Sequence, residues 1–227
     1  MGFSIVTTSK TDPVANFLAS SILNQLKLGK KVLFFVTGGS SILIGVKVSE
    51  ILKKDPNQNL IKNLSIALTD ERYGPIGHPD SNFFKLMENG FELPSAKIIP
   101  TLTGDDPVIT AEKFNQTIKE ELKSANYKIA LFGVGKDGHV AGILPGSTAV
   151  HSEDFVCGYT TPVFYRVTIT EKTIEKLDEA VVFMQGEEKW AVVDDLYKDV
   201  DIIKQPAQIL KKVPLLTIFS DYVKKNE

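Results

Sequence analysis

The sequence predicts an α/β fold with three layers: a Rossmann-like, mostly parallel sheet with helices on both faces. Short continuous apolar runs, such as Val32–Val36 and residues 127–132, read as strands buried on both sides. They alternate with stretches whose apolar residues recur at three- and four-residue steps, the period of a helix with one buried face. No internal repeat, low-complexity tract or long linker breaks the 227 residues, a length that suits one domain spanning 1–227.

The elements follow in order. Residues 3–7 are a short β-rich run. Asp12-Pro13 reads as an N-cap with proline at the first helical position. Val14, Phe17, Leu18, Ile22 and Leu26 then keep helical spacing, and Gly29 is the C-terminal stop. Val32–Val36 is a strand that runs into Thr37-Gly38-Gly39-Ser40. A helix follows to about residue 54, ended by Asp55-Pro56. Residues 64–69 form the next strand and close on Asp70-Glu71-Arg72; residues 81–89 form a short helix. Ala111, Phe114, Ile118 and Leu122 mark an amphipathic helix. The strand at 127–132 empties into Gly133-Val134-Gly135-Lys136-Asp137-Gly138-His139. Strands at 166–170 and 180–184, a helical face through Trp190, Val193 and Tyr197, and a last strand at 215–219 complete the chain.

Bulk composition narrows the function classes. Lys plus Arg is 26 and Asp plus Glu is 28, a net charge of −2 that gives no reason to expect a nucleic-acid partner. A local basic pocket for one phosphate group remains compatible with that balance. The single cysteine, Cys157, cannot close an internal disulfide, which fits a reducing compartment. The N-terminus has no basic segment followed by a long apolar run, and the apolar stretches are far too short to span a bilayer. A soluble cytoplasmic protein with no membrane partner, monomeric or a small homo-oligomer, is the expectation.

Ligands of a parallel sheet bind beyond the C-terminal ends of its strands, and three polar clusters lie there. In Thr37-Gly38-Gly39-Ser40-Ser41, two glycines let the backbone approach an anion, and the helix that follows adds partial positive charge: a phosphate cradle. The alternative is an ordinary strand-to-helix turn with Ser40 as N-cap. No Gly-Lys-Ser/Thr follows, so it is not a nucleotide P-loop. Asp70-Glu71-Arg72 offers a proton-transfer carboxylate and a guanidinium fork for phosphate oxygens, or else a solvated charge cluster. The third cluster matches G-x-G-x-x-G literally, yet it sits mid-chain, meets Pro145 and Gly146 within two turns, and has no strand before Glu153 and Asp154. A loop displaying Asp137 and His139 fits better than a dinucleotide cofactor site. His139 suits general-base work because histidine titrates near neutrality. His78, His139 and His151 lack metal-ligand spacing, so no metal is expected. Lys189, after Gly186 at a helix start, can reach an anion at the strand ends, or is a solvated first-turn lysine.

Taken together, Thr37-Gly38-Gly39-Ser40, Asp70-Glu71-Arg72 with Ser81-Asn82, and Gly133 through His139 resemble the signature set of the 6-phosphogluconolactonase and glucosamine-6-phosphate deaminase superfamily. The run 166–170, the Gly186-Glu187-Glu188-Lys189 step and Pro206-Ala207 resemble the lactonase branch, so the likeness covers nearly the whole chain. Leu144 stands where the deaminases carry a glutamate, and Arg72 where they tend to carry a tyrosine. The chain departs from the lactonase pattern at Thr37, at Ser41-Ile42 in place of Thr-Pro, and at Val140-Ala141-Gly142 in place of Thr-Ala-Ser. The resemblance implies hydrolysis of 6-phosphogluconolactone in the pentose phosphate pathway, with a small-molecule sugar phosphate as substrate and no cofactor. It implies His139, oriented by Asp137, as the base and Asp70 as a further catalytic carboxylate. The phosphate ligands it implies are Gly38, Gly39, Ser40, Arg72, Arg166 and Lys189.

Overall fold

The computed structural model describes residues 2–223. In chain order the first half comprises β1 (Ser4–Thr7), α1 (Thr11–Lys27), β2 (Val32–Val36), α2 (Ile42–Lys53), α3 (Gln58–Ile61), β3 (Leu64–Leu68), β4 (Asp70–Arg72), α4 (Asn82–Glu88) and β5 (Lys97–Ile98). The second half comprises α5 (Pro107–Ser124), β6 (Tyr127–Gly133), β7 (Val156–Thr160), β8 (Tyr165–Ile169), α6 (Glu171–Ile174), β9 (Glu179–Met184), α7 (Trp190–Leu196) and β10 (Leu215–Ser220). Short 3-10 turns at Gly39–Ser41, Glu187–Lys189 and Pro206–Lys212 lie beside the elements that matter below.

Seven strands form a wholly parallel sheet in the order β1-β10-β9-β6-β2-β3-β5. Its side chains alternate between two cores, as the pleat requires. Val32, Phe34 and Val36 of β2 pack with Leu18 and Ile22 of α1 and with Ile44 and Leu52 of α2. Leu33 and Phe35 pack on the other face with Phe114 and Ile118 of α5, Val167 and Ile169 of β8, and Ile209 and Leu210. Phe34 and Phe35 are adjacent in sequence yet fully buried in opposite cores. Burying each side chain is worth about 2–3 kcal/mol, so this strand is fixed in register from both sides.

The chain runs from β2 outward to β3 and β5, then crosses back to β6 and proceeds to β9 and β10. Strand order therefore reverses between β2 and β6. The crevice outside the C-terminal ends of two such strands is where open α/β sheets place ligands. The loops leaving β2 and β6 are the glycine-bearing segments 37–41 and 133–139.

A second sheet, β4-β8-β7, is antiparallel and was not expected. Asp70-Glu71-Arg72 is its edge strand and not a solvated charge cluster: Glu71 has no exposed surface, because pairing with β8 and capping of α4 enclose it. Helix α1 begins two residues earlier than predicted. Lys10 holds the cap position without a side-chain bond, while Asp12 lies inside the first turn and pairs with Lys47 of α2. Proline is tolerated there because first-turn N–H groups have no intrahelical acceptor. Gly29 stops the helix at φ +75°, as expected. Among the described residues no helix is long and apolar enough to cross a membrane.

Candidate active site

The loop after β2 owes its shape to two glycines. Gly38 lies against the Asn82 side chain, which occupies the space a Cβ would need, and Gly39 takes φ +64°. Ser40 is exposed and is not an N-cap: Gly38 precedes the 3-10 turn, Ser41 precedes α2, and neither makes a side-chain cap bond. Ser41 is fully buried, its Oγ sits 3.3 Å from the Cβ position of Gly133, and that hydroxyl has no hydrogen-bond partner among the described residues. The β2 loop thus abuts the end of β6.

Asn82 is set in place by Glu71. The Glu71 carboxylate accepts from the backbone N–H groups of Arg72 (2.8 Å), Asn82 (2.6 Å) and Phe83 (3.0 Å) and from Ser81 Oγ (2.8 Å). It therefore closes the N-terminus of α4, where N–H groups lack helical partners. Burial pushes its carboxyl above the usual range, against the pull of those four donors. Asn82 Nδ2 donates to the Asp70 carbonyl at 3.0 Å, joining the β2 loop to β4.

The β4–β8 register sets Arg72 directly opposite Arg166 and Asp70 opposite Thr168. Opposed residues in an antiparallel pair share a face, so these four side chains project on one side of the ribbon. Arg166 Nη1 lies 3.3 Å from Asp70 Oδ2, in a nearly buried pair. Arg72 Nη1 donates to the Asp80 carbonyl (3.2 Å), and its guanidinium lies over the Phe164 ring at 5.6 Å. The Nε groups of both arginines are buried without a partner among the described residues. Like charges placed directly opposite repel, and one carboxylate beside two guanidinium groups leaves net positive charge. Donors and charge together suit an anion.

The loop after β6 is a tight hairpin. Gly135 N–H donates to the His139 carbonyl (3.0 Å) and Gly138 N–H to the Gly135 carbonyl (2.9 Å), with Gly138 at φ +77°. His139 Nδ1 lies 2.6 Å from Asp137 Oδ1, which also accepts the His139 backbone N–H at 3.2 Å. An ionised carboxylate only accepts, so Nδ1 carries the proton and Nε2 of a neutral ring keeps its lone pair. Burial tends to raise the Asp137 carboxyl, but the backbone and ring of His139 outweigh it and hold it below the usual range. Gly135 lies under the pair; a Cβ there would overlap both side chains.

Beyond His139, Val140 makes antiparallel bridges to Val134 and Ile143, and Ala141 takes φ 51°. Gly142 N–H donates to Thr168 Oγ1 (2.9 Å), and its carbonyl accepts from Tyr159 Oη (2.5 Å). A side chain at 142 would meet Thr168 and the Cβ of Asp70, which gives a physical reason for glycine at this departure from the lactonase pattern. Through these contacts the His139 hairpin is docked on the face that bears Asp70, Arg72 and Arg166.

Lys189 stands apart. It ends the 3-10 turn after β9, the strand next to β6, so it lies along the same rim of the sheet. The turn is anchored by Asp221, which accepts from Gly186 N–H (3.1 Å) and Trp190 Nε1 (3.1 Å). The Lys189 ammonium makes no hydrogen bond or ion pair with the described residues, so none ties it to Arg72, Arg166 or His139. A cleft of about 210 Å³ lined by Lys31, Lys62 and Lys97 lies at the opposite, N-terminal rim.

Four residues that shape the site were not legible in the sequence: Glu71 as a cap, Tyr159 and Thr168 as clamps on Gly142, and Gln205 behind Gly138. Only Glu71 carried a local signal, an acid ten residues before Ser81-Asn82. The others depend on strand pairing that no local pattern announces.

Comparison with known proteins agrees with this fold. A family model described as "Glucosamine-6-phosphate isomerases/6-phosphogluconolactonase" matches residues 8–217. A 6-phosphogluconolactonase of Chlamydia pneumoniae is 26% identical over 133 residues, covering 56% of this chain and 51% of that protein, about half its length. One of Borreliella burgdorferi is 26% identical over 180 residues, covering 70% of this chain and 72% of that protein. The solved structure of a 6-phosphogluconolactonase from Shewanella baltica has a TM-score of 0.80 at 20% identity, covering 96% of this chain and 98% of that one. That from Trypanosoma brucei has 0.76 at 21% identity, covering 96% and 95%. At such identities the structures establish a shared fold. With the family match spanning nearly the whole sequence, the chain belongs to the glucosamine-6-phosphate isomerase/6-phosphogluconolactonase family.

Proposed function

We propose that this chain hydrolyses 6-phosphogluconolactone, the δ-lactone of a 6-phosphorylated sugar acid, to 6-phosphogluconate, the ring-opening step of the pentose phosphate pathway. The observation that carries the reading is the Asp137–His139 pair, held 2.6 Å apart on a hairpin docked against the arginine-bearing face of β4 and β8. Relatives from several bacteria that are named 6-phosphogluconolactonase support the substrate.

In this reading His139 Nε2 takes a proton from water. The hydroxide attacks the lactone carbonyl carbon and forms a tetrahedral intermediate. As the C–O bond to the ring oxygen breaks, the imidazolium returns its proton to that oxygen, leaving a carboxylic acid that ionises and a hydroxyl. One residue serves as base and then acid, and Asp137 orients the ring and stabilises its charged form. Arg72 and Arg166 receive the phosphate with the cradle Gly38, Gly39 and Ser40, and Lys189 closes on it from the β9 side. Asp70 holds Arg166 and a sugar hydroxyl. Phosphate binding is remote energy that positions the carbonyl. A small charged metabolite as substrate fits a cytoplasmic enzyme.

The test compares 6-phosphogluconolactone, unphosphorylated gluconolactone and glucosamine 6-phosphate with wild type and Arg72→Ala. The expected result is opening of the phosphorylated lactone, no ammonia from the amino sugar, and about a 10–100-fold fall in kcat/KM for the phosphorylated lactone alone in Arg72→Ala, from a lost charge-assisted bond of about 1.5–3 kcal/mol. Equal loss on both lactones removes Arg72 as a phosphate ligand; ammonia release moves the chain to the isomerase branch.

A further inference from the structure

The hairpin that carries Asp137 and His139 is held from behind at the residue between them. The Gly138 carbonyl accepts from Ala207 N–H at 2.8 Å, and Gln205 packs so closely that a Cβ at Gly138 would overlap its Cγ. Gln205 is only 7% exposed, and its amide is fixed at both ends. Nε2 donates to Asp195 Oδ2 of α7 (3.2 Å), and Oε1 accepts from Gln208 Nε2 (2.5 Å), which also reaches the Asp195 carbonyl (2.9 Å). The far end of the same loop is held by the same segment, since Gly146 N–H donates to the Ile203 carbonyl at 2.8 Å. Helix α7 directly follows the turn bearing Lys189.

We propose that Gln205, bonded to Asp195, is a positioning residue for His139: its amide bridge fixes the hairpin apex relative to α7, so that the base and the lysine at the start of α7 are set in one register. The inference rests on the lactonase reading and deepens it. The ring of His139 bonds Asp137, two residues away on the same hairpin, so the two side chains move together. Where they stand relative to the rest of the site depends on what supports Gly138 as well as on the docking of Gly142 against Thr168 and Tyr159. A displacement on the order of 1 Å can cost about a hundredfold in rate.

Gln205→Glu sets a carboxylate against Asp195 at neutral pH. The expected result is a fall in kcat of about tenfold or more, with KM within about twofold. Adding Asp195→Asn supplies an amide donor to the new carboxylate while Gln208 still donates to its other oxygen, and most of kcat returns. Losses that merely add in the double variant overturn the proposal. Independently of any substrate, the His139 ring resonances followed by NMR shift in Gln205→Glu and return in the double variant. Unchanged resonances in a folded single variant overturn the proposal. Resonances that shift and return in a protein that opens no lactone uphold it and reject the lactonase reading instead. If Gln205→Glu does not fold, Gln205→Met removes the amide at similar length, and unaltered kcat and His139 resonances in it overturn the bridge.

Discussion

Glu71 and Asp137 are both acids in polar clusters, and their surroundings give them different work. Glu71 meets four donors and no acceptor, so an amide in its place sets its NH₂ against Phe83 N–H or Asn82 N–H. Glu71→Gln is expected to lose about 2–3 kcal/mol of stability in urea denaturation. A loss below about 0.5 kcal/mol would mean the cap is not what holds Ser81 and Asn82. Asp137 is half-exposed and titrates below the usual carboxylate range. A carboxyl whose folded pKa is depressed stabilises the fold above its unfolded pKa and loses that contribution as pH falls through the folded value. The difference in unfolding free energy between wild type and Asp137→Asn should therefore be steady near pH 5 and shrink below about pH 4; a gap that widens on acidification contradicts the assignment. The sequence displayed both acids but not their difference, because three of the four donors around Glu71 lie ten to twelve positions away.

Among the elements, β2, β6, β9 and β10 were legible to within a residue or two, since strands buried on both faces are continuous apolar runs. Strands β4, β5 and β7 were not. Asp70-Glu71-Arg72 is too polar, Lys97–Ile98 too short, and Val156–Thr160 interrupted by Cys157 and Gly158. Their pairing joins residue 70 to 168 and 156 to 169, and a window of local sequence contains neither partner set. This second sheet clamps Gly142 through Thr168 and Tyr159. Tyr159→Phe leaves the Gly142 carbonyl without its phenol donor and should cost about 1–2 kcal/mol, measured by denaturation, together with a fall in kcat as the segment after His139 loosens. Unchanged stability and turnover would show that Thr168 alone suffices.

At the scale of the molecule, the reversal of strand order between β2 and β6 gathers the site. It brings the Gly38-Gly39 loop and the His139 hairpin to one crevice, and β4 and β8 turn the two arginines toward the same rim. The alternation of strands and helices, and the order of the polar clusters, made the layered fold and the family legible in the sequence. The antiparallel ribbon that opposes Arg72 to Arg166, and the support of the hairpin by residues 203–207, were not legible, because both arise from contacts across the whole chain. Arg72 and Arg166 are joined by strand pairing, whereas the Lys189 ammonium makes no hydrogen bond or ion pair with the described residues.

The most direct test is the rate of 6-phosphogluconolactone opening by purified protein at neutral pH, with the spontaneous rate subtracted and His139→Ala run beside wild type. The expected result is turnover well above background that falls by about a hundredfold or more in the variant, with KM little changed. Near-normal turnover in His139→Ala, or folded wild type with no rate above background, would contradict it.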